Sequence, residues 1–278
     1  MEKFLFTLFI ITISNLIACK NSTPEKPAQS ATPLPDSIAA ELAIDLTDMI
    51  ENQALPLSQE IAISYDPFFK QSKKFIGFSL QNFLDSIITS NKFDTSAAVL
   101  VFECSDGYRP TMPISQVFGN KNGFIVTRDL DAPVGKDWID SLDKKMKPFY
   151  VVWQDVPKED HRYMWPYGLF GMHLVSAGAE FKEVYPFDAP EMVEGFQLFS
   201  QTCMKCHSVN KVGGVMGPEM NIPKNITEYW TDENIMAFAK NPQSFRYRSA
   251  MAPITGVSEE DFKKILAYLK YIAKHKIS

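Results

Sequence analysis

The sequence predicts an α+β segment over roughly residues 38–182, followed by a small all-helical segment over 188–278. Three observations carry that expectation. Runs of β-branched and aromatic residues bounded by turn residues recur between Ile61 and Ser176. Apolar residues fall at helical spacing after Ser79 and again after Pro190. No strand-like run interrupts the helical patterns of the second segment. At 278 residues the chain exceeds the ~100–150 of a single domain, so two domains are the natural division. With 28 basic and 33 acidic residues its formal charge is only −5, which excludes the basic excess of a nucleic-acid binder.

The elements follow in order from the first residue. Lys3 supplies a positive start, and Phe4 to Ile13 is apolar except for Thr7 and Thr12. That run is shorter than the ~20 residues of a spanning helix, so residues 1–18 read as an export signal. It closes on Leu16-Ile17-Ala18-Cys19. The tetrad resembles the lipobox of bacterial lipoproteins, which implies cleavage before Cys19, a diacylglycerol on its thiol and an acylated amine. Two or more acyl chains hold a protein stably at a membrane. The plainer reading is an ordinary signal peptide that happens to end near a cysteine; both readings place the protein outside the cytoplasm. Residues 19–37, rich in Pro, Ser, Thr and Ala without apolar period, read as a flexible tether.

In the first segment Ile61-Ala62-Ile63-Ser64-Tyr65 alternates as a strand until Asp66-Pro67 turns the chain. Ser79 is a candidate N-cap, and Leu80, Phe83, Leu84, Ile87 and Ile88 define one buried helix face. Strand candidates follow at 97–102, 123–129, 149–154 and 171–176. The second segment opens at Pro190, a good first-turn residue, and runs helically through Met192, Phe196 and Phe199 to Cys203. Thr231 caps a further short helix. Ser258, with Asp261 three residues on, starts the last one, whose face is Phe262, Ile265, Leu266, Leu269 and Ile272. A helical unit of this size holds a poor core by itself, and an enclosed cofactor is one remedy.

The chemistry sits at Cys203-Met204-Lys205-Cys206-His207, a CxxCH motif for covalent attachment of one haem c. Two cysteines three apart present their sulfurs along one edge for thioether formation with the two vinyl groups, and the adjacent histidine then faces iron. Covalent attachment keeps the cofactor from being lost after export. A zinc site would want a second ligand pair, and Cys104, His161, His173 and His275 are not paired at ligand spacing. A redox CxxC would open a helix in a strand-helix setting, whereas here a helical run precedes the motif.

Residues 188–278 resemble a class I monohaem cytochrome c domain. The resemblance rests on Gly195 and Phe199 before the motif, Gly217-Pro218 after it, Met251-Ala252-Pro253, and the terminal helix with Tyr268 and Tyr271. It implies that Pro218 offers its carbonyl to His207 and that a downstream methionine is the sixth iron ligand. Met251 fits that role, although Ala252 stands where the family often has proline, and Met216 and Met220 compete. Met251 lies in a loop between two helices, far from His207 in sequence, which lets the chain close over the opposite haem face. Arg246 and Arg248 flank that loop, as propionate partners, as a dock for an acidic protein, or as solvated charges. Trp230 reads as pocket wall or core.

In the first segment, Phe75-Ile76-Gly77-Phe78-Ser79-Leu80, Cys104-Ser105-Asp106-Gly107-Tyr108 and Trp165-Pro166-Tyr167 resemble part of the molybdopterin-binding fold of sulfite-oxidase-type proteins. The catalytic cysteine of that family precedes the matched region, and Cys104 is not its counterpart. Arg109 and His161-Arg162 do not make a convincing pterin-phosphate site, so a cofactor-free relative is expected, with Cys104 a small buried hydrophobe. His161, Tyr163, Trp165 and Tyr167 are expected to pack their loop. The whole reading is a lipid-anchored, periplasm-facing or cell-surface electron carrier for a redox protein partner, such as a respiratory or oxidoreductase complex. The alternative is an oxidoreductase subunit or sensor whose first segment binds a substrate or molybdopterin.

Overall fold

The computed structural model describes residues 41–119, 122–138, 146–157, 160 and 162–277, and these belong to one compact unit. The expected export signal, Cys19, the tether over 19–37 and His161 lie outside the described residues.

Alternation of apolar residues builds the first part. In order come β1 (Leu42–Asp45), α1 (Leu46–Glu51), β2 (Gln59–Asp66), β3 (Gln71–Ser79), α2 (Leu80–Asn91), β4 (Ala98–Cys104), β5 (Thr111–Pro113) and α3 (Ile114–Gly119). Then follow β6 (Gly123–Asp129), β7 (Phe149–Trp153), β8 (Tyr167–Ser176) and α4 (Ala177–Glu180). The strands form one eight-stranded antiparallel sheet in the order β2-β3-β6-β7-β8-β4-β5, with β1 also on β8. Ser79 caps α2 as its sequence suggests, its Oγ accepting the Asn82 N–H at 3.2 Å.

The expected α+β character is corrected here: this part is a curled β-sheet carrying short helices. The missed strands explain the difference. β3 begins Gln71-Ser72-Lys73-Lys74, which has no apolar alternation. Lys73 is nevertheless buried, because its Nζ pairs with Asp129 on β6 at 2.7 Å and lies over the Phe69 ring at 4.8 Å. A partner distant in sequence makes that strand possible.

β4 organises the interior, since successive side chains leave a strand on opposite faces. Leu100, Phe102 and Cys104 enter one core with Leu84 of α2 and Trp153 of β7. Val99 and Val101, with Val175 of β8, enter a second core that also contains the helices of the carboxy-terminal part. A third core, Ile61, Phe75, Val126 and Tyr150, covers the far end of the sheet. Each fully buried Phe, Leu or Val contributes about 1.5–3 kcal/mol.

In the carboxy-terminal part a 3-10 turn at Pro190–Met192 leads into α5 (Val193–Thr202), followed by β9 (Ser208–Val209), β10 (Val212–Gly213), α6 (Asp232–Lys240), α7 (Pro242–Phe245) and α8 (Glu259–Ile272). Thr231 caps α6 through Asn234 N–H at 3.3 Å, and Ser258 caps α8 through Asp261 N–H at 3.0 Å. The all-helical expectation is overturned by β9 and β10, which pair antiparallel directly after the CxxCH motif. Their turn places Asn210 and Lys211 at φ 49° and 65°, the left-handed pair of a tight hairpin. Strands of two residues leave no periodicity to read.

Candidate cofactor site

The motif is placed by α5. Its apolar face, Val193, Phe196 and Phe199, packs on α8, where the Tyr268 ring lies 5.6 Å from Phe196 and 5.5 Å from Phe199 between centroids. Gly195 permits that approach, since a Cβ there would stand 3.0 Å from the Tyr268 Cβ. The helix ends at Cys203, whose N–H still donates to Phe199 O at 2.8 Å. Cys206 and His207 N–H groups then both donate to Cys203 O, at 3.1 and 2.9 Å, so the motif is one tight turn off the helix end.

Cys203 and Cys206 are free thiols and half-buried. Desolvation pushes the Cys203 thiol up to about 12 and raises that of Cys206, against the lowering influence of the Lys205 ammonium between them. Burial thus favours the neutral thiols, unlike the thiolate of a reactive redox CxxC.

His207 is oriented by its surroundings. Its Nδ1 lies 2.8 Å from Pro218 O, and a carbonyl there makes Nδ1 the protonated nitrogen, leaving the Nε2 lone pair for a metal. Gly217 lies flat against the ring: a Cβ would come within 2.6 Å of Nδ1. Gly217 N–H donates to Cys206 O at 2.7 Å and Gly214 N–H to Met204 O at 2.8 Å, so residues 214–218 wrap the motif with main-chain bonds.

The competing methionines are separated by the fold. Met251 is half-buried against Ile235 and Ala239 of α6 and Phe262 and Leu266 of α8, with its carbonyl accepting from Gln243 Nε2 at 3.1 Å. Met216 is among the exposed apolar residues, and Met220 packs into the core that holds Cys203. The Cys203 and Met251 clusters adjoin through Ile226 and Val257, which border both. Trp230 borders the Met251 cluster, 5.3 Å from Phe238 between ring centroids. Arg246 lies over Phe238 at 5.7 Å and Arg248 over Tyr247 at 5.3 Å.

Two thiols, an imidazole with its outer nitrogen bonded to a carbonyl, and a thioether in an apolar loop form a donor set that fits a covalently held haem. Cys203, Cys206, His207 and Pro218 are brought together, whereas Met251 stands on its own cluster. The sheet adds residues that the sequence did not flag for this site. Arg109 N–H donates to Lys205 O at 2.8 Å, and Lys205 Nζ approaches Met164 Sδ at 4.0 Å. Lys205 stands inside the CxxCH motif and Arg109 directly after Asp106-Gly107-Tyr108, but nothing local in the sequence links the two. Cys104 is buried in the first core and desolvation raises its thiol pKa, as suits a packed small hydrophobe.

Residues 190–269 match the family model for cytochrome c oxidase, cbb3-type, subunit III. Cytochrome c oxidase subunit 2 of Alkalihalophilus pseudofirmus is 32% identical over 84 residues, covering 28% of this chain and 24% of that protein. Cytochrome c of Theileria parva is 27% identical over 94 residues, covering 28% of this chain and 82% of that protein. The chain thus spans about a quarter of the oxidase subunit it matches. No solved structure matches the chain significantly. The matches support a cytochrome c domain over residues 190–269 and, with it, a haem-based role in electron transfer.

Proposed function

We propose that the chain is a membrane-tethered, exported cytochrome that holds one haem c through Cys203 and Cys206, with His207 and Met251 as axial ligands, and passes single electrons to a redox protein partner. The observation that carries this reading is the 2.8 Å bond from His207 Nδ1 to Pro218 O, one turn from two free thiols. When bound, haem supplies a one-electron iron couple whose potential is raised by methionine–histidine ligation. The chain's own residues do the rest. Cys203 and Cys206 would hold the group against loss, Pro218 and Gly217 would set the imidazole plane, and Met251 would supply the second protein ligand to iron, which favours electron transfer over binding of a small molecule at the metal.

Tethering rests on the apolar run ending at Cys19, whose thiol would carry the lipid. A respiratory partner is suggested by the oxidase subunits among the similar proteins. The sheet is read as a cofactor-free relative of the molybdopterin-binding fold, on the segments Phe75–Leu80, Cys104–Tyr108 and Trp165–Tyr167.

The test is expression with haem-maturation machinery, residues 1–19 being replaced by a cleavable export signal, followed by metal analysis. One iron per chain that survives denaturation, without stoichiometric molybdenum, is the expected result. Haem that washes out under denaturant, or none at all, would overturn it; stoichiometric molybdenum would make the protein an enzyme.

A further inference from the structure

The turn between β4 and β5 meets the CxxCH segment and the loop after it, with main-chain bonds in both directions. Arg109 N–H donates to Lys205 O at 2.8 Å, and Val215 N–H donates to Gly107 O at 2.9 Å. The approach is as close as backbone allows. Gly107 has φ +85°, and a Cβ there would stand 2.9 Å from both Met216 N and Val215 Cγ2.

Side chains complete the seam. Tyr108 OH donates to Met164 Sδ at 3.7 Å, and Lys205 Nζ reaches the same sulfur at 4.0 Å. Met164 is itself buried, with its carbonyl accepting from Trp153 Nε1 at 2.6 Å in the first core. The Arg109 bond to Lys205 O sets the turn one residue from Cys206, and burial raises the Tyr108 hydroxyl pKa. Arg109 anchors the turn behind: its Nε bonds Glu103 Oε1 at 3.0 Å on β4, and its Nη1 pairs with Glu180 of α4.

We infer that the Asp106–Arg109 turn is a wall of the cofactor site, with Tyr108 as its positioning residue, closing the Cys206 edge to water and to redox partners. This rests on the haem reading of Cys203 and Cys206. A drier edge disfavours the more highly charged oxidised centre, so the wall raises the reduction potential. Electrons then leave by another part of the cytochrome surface.

The experiment uses the full chain, exported and loaded as above. In wild type, amide hydrogen exchange at Arg109 and Val215 is expected to be as slow as in β4; exchange as fast as in exposed loops overturns the inference. Spectroelectrochemistry then compares Tyr108→Ala and Tyr108→Phe. Tyr108→Ala is expected to keep covalent haem and to lower the potential, by about 59 mV if the one-electron equilibrium shifts tenfold. Tyr108→Phe keeps the ring and is expected to stay near wild type. Tyr108→Leu replaces the alanine variant if that does not accumulate, with the same expected direction. Attached haem at wild-type potential in the truncated variant sinks the inference alone, whereas absence of covalent haem from wild type sinks the haem reading beneath it.

Discussion

The two sides of the cofactor site are built differently. The attachment side is held by main-chain hydrogen bonds from residues 214–218, by the Gly107–Arg109 turn of the sheet, and by a core in which Phe199 and Leu269 meet Val99 and Val101 of β4. The Met251 side stands on four buried residues, Ile235, Ala239, Phe262 and Leu266, and is bordered by exposed Phe245 and Tyr247 with Arg246 and Arg248. The first is braced by the sheet as well as by its own main-chain bonds. The second is backed mainly by α6 and α8, with Ile226, Trp230 and Val257 at its border. The sheet therefore braces the half of the site that carries Cys203, Cys206 and His207.

That contrast can be broken at its strongest point. Phe199 is fully buried where helix and sheet cores join, so Phe199→Ala is expected to cost about 3–5 kcal/mol. Urea unfolding should show loss of the sheet and of the attachment side in one transition; a variant that melts its helices alone would separate the two sides.

Gly217→Ala tests the histidine seat. A methyl group forced against the His207 ring is expected to cost about 1–3 kcal/mol and to disturb the absorption spectrum of the loaded protein. A wild-type spectrum and melt would show that the ring has room to move.

Met251→Ala addresses the other side. Full burial of a methionine is worth about 2–5 kcal/mol on truncation, and half-burial reduces this to roughly 1–2 kcal/mol. The expected signature is covalent haem retained, a lowered potential and an altered axial-ligand spectrum. If the spectrum is unchanged and Met216→Ala or Met220→Ala changes it instead, the ligand is reassigned.

The smallest effect sharpens the comparison at the element shared by both sides. Ser258→Ala removes the cap of α8 and is expected to cost about 1 kcal/mol, read as a shift in urea midpoint without change in slope.

Local patterns were the legible part of the fold. Residues 123–129 were expected as a strand and form β6, and 97–102 anticipated β4 within two residues, because continuous β-branched runs mark strands buried on both faces. Ser79, Thr231 and Ser258 all cap the helices their positions announced. β3 escaped because Lys73 is buried by pairing with Asp129, residues whose proximity depends on sheet register. β9 and β10 escaped because two residues carry no period, which is also why the second segment was misread as all-helical.

For the site, the CxxCH spacing is a local pattern and was readable without any fold. The sequence left three methionines open as the sixth ligand, and the fold sets half-buried Met251 against α6 and α8, Met220 in the core beside Cys203, and Met216 at the surface. By itself the sequence determined the attachment motif, the helix caps and the central strands, since each is written in residues a few positions apart. Only the tertiary structure decided the curled sheet, the pairing that buries Lys73, and the meeting of Arg109 with Lys205. Those contacts join residues 56 to 96 positions apart, and their free energy exists only once the intervening chain has folded.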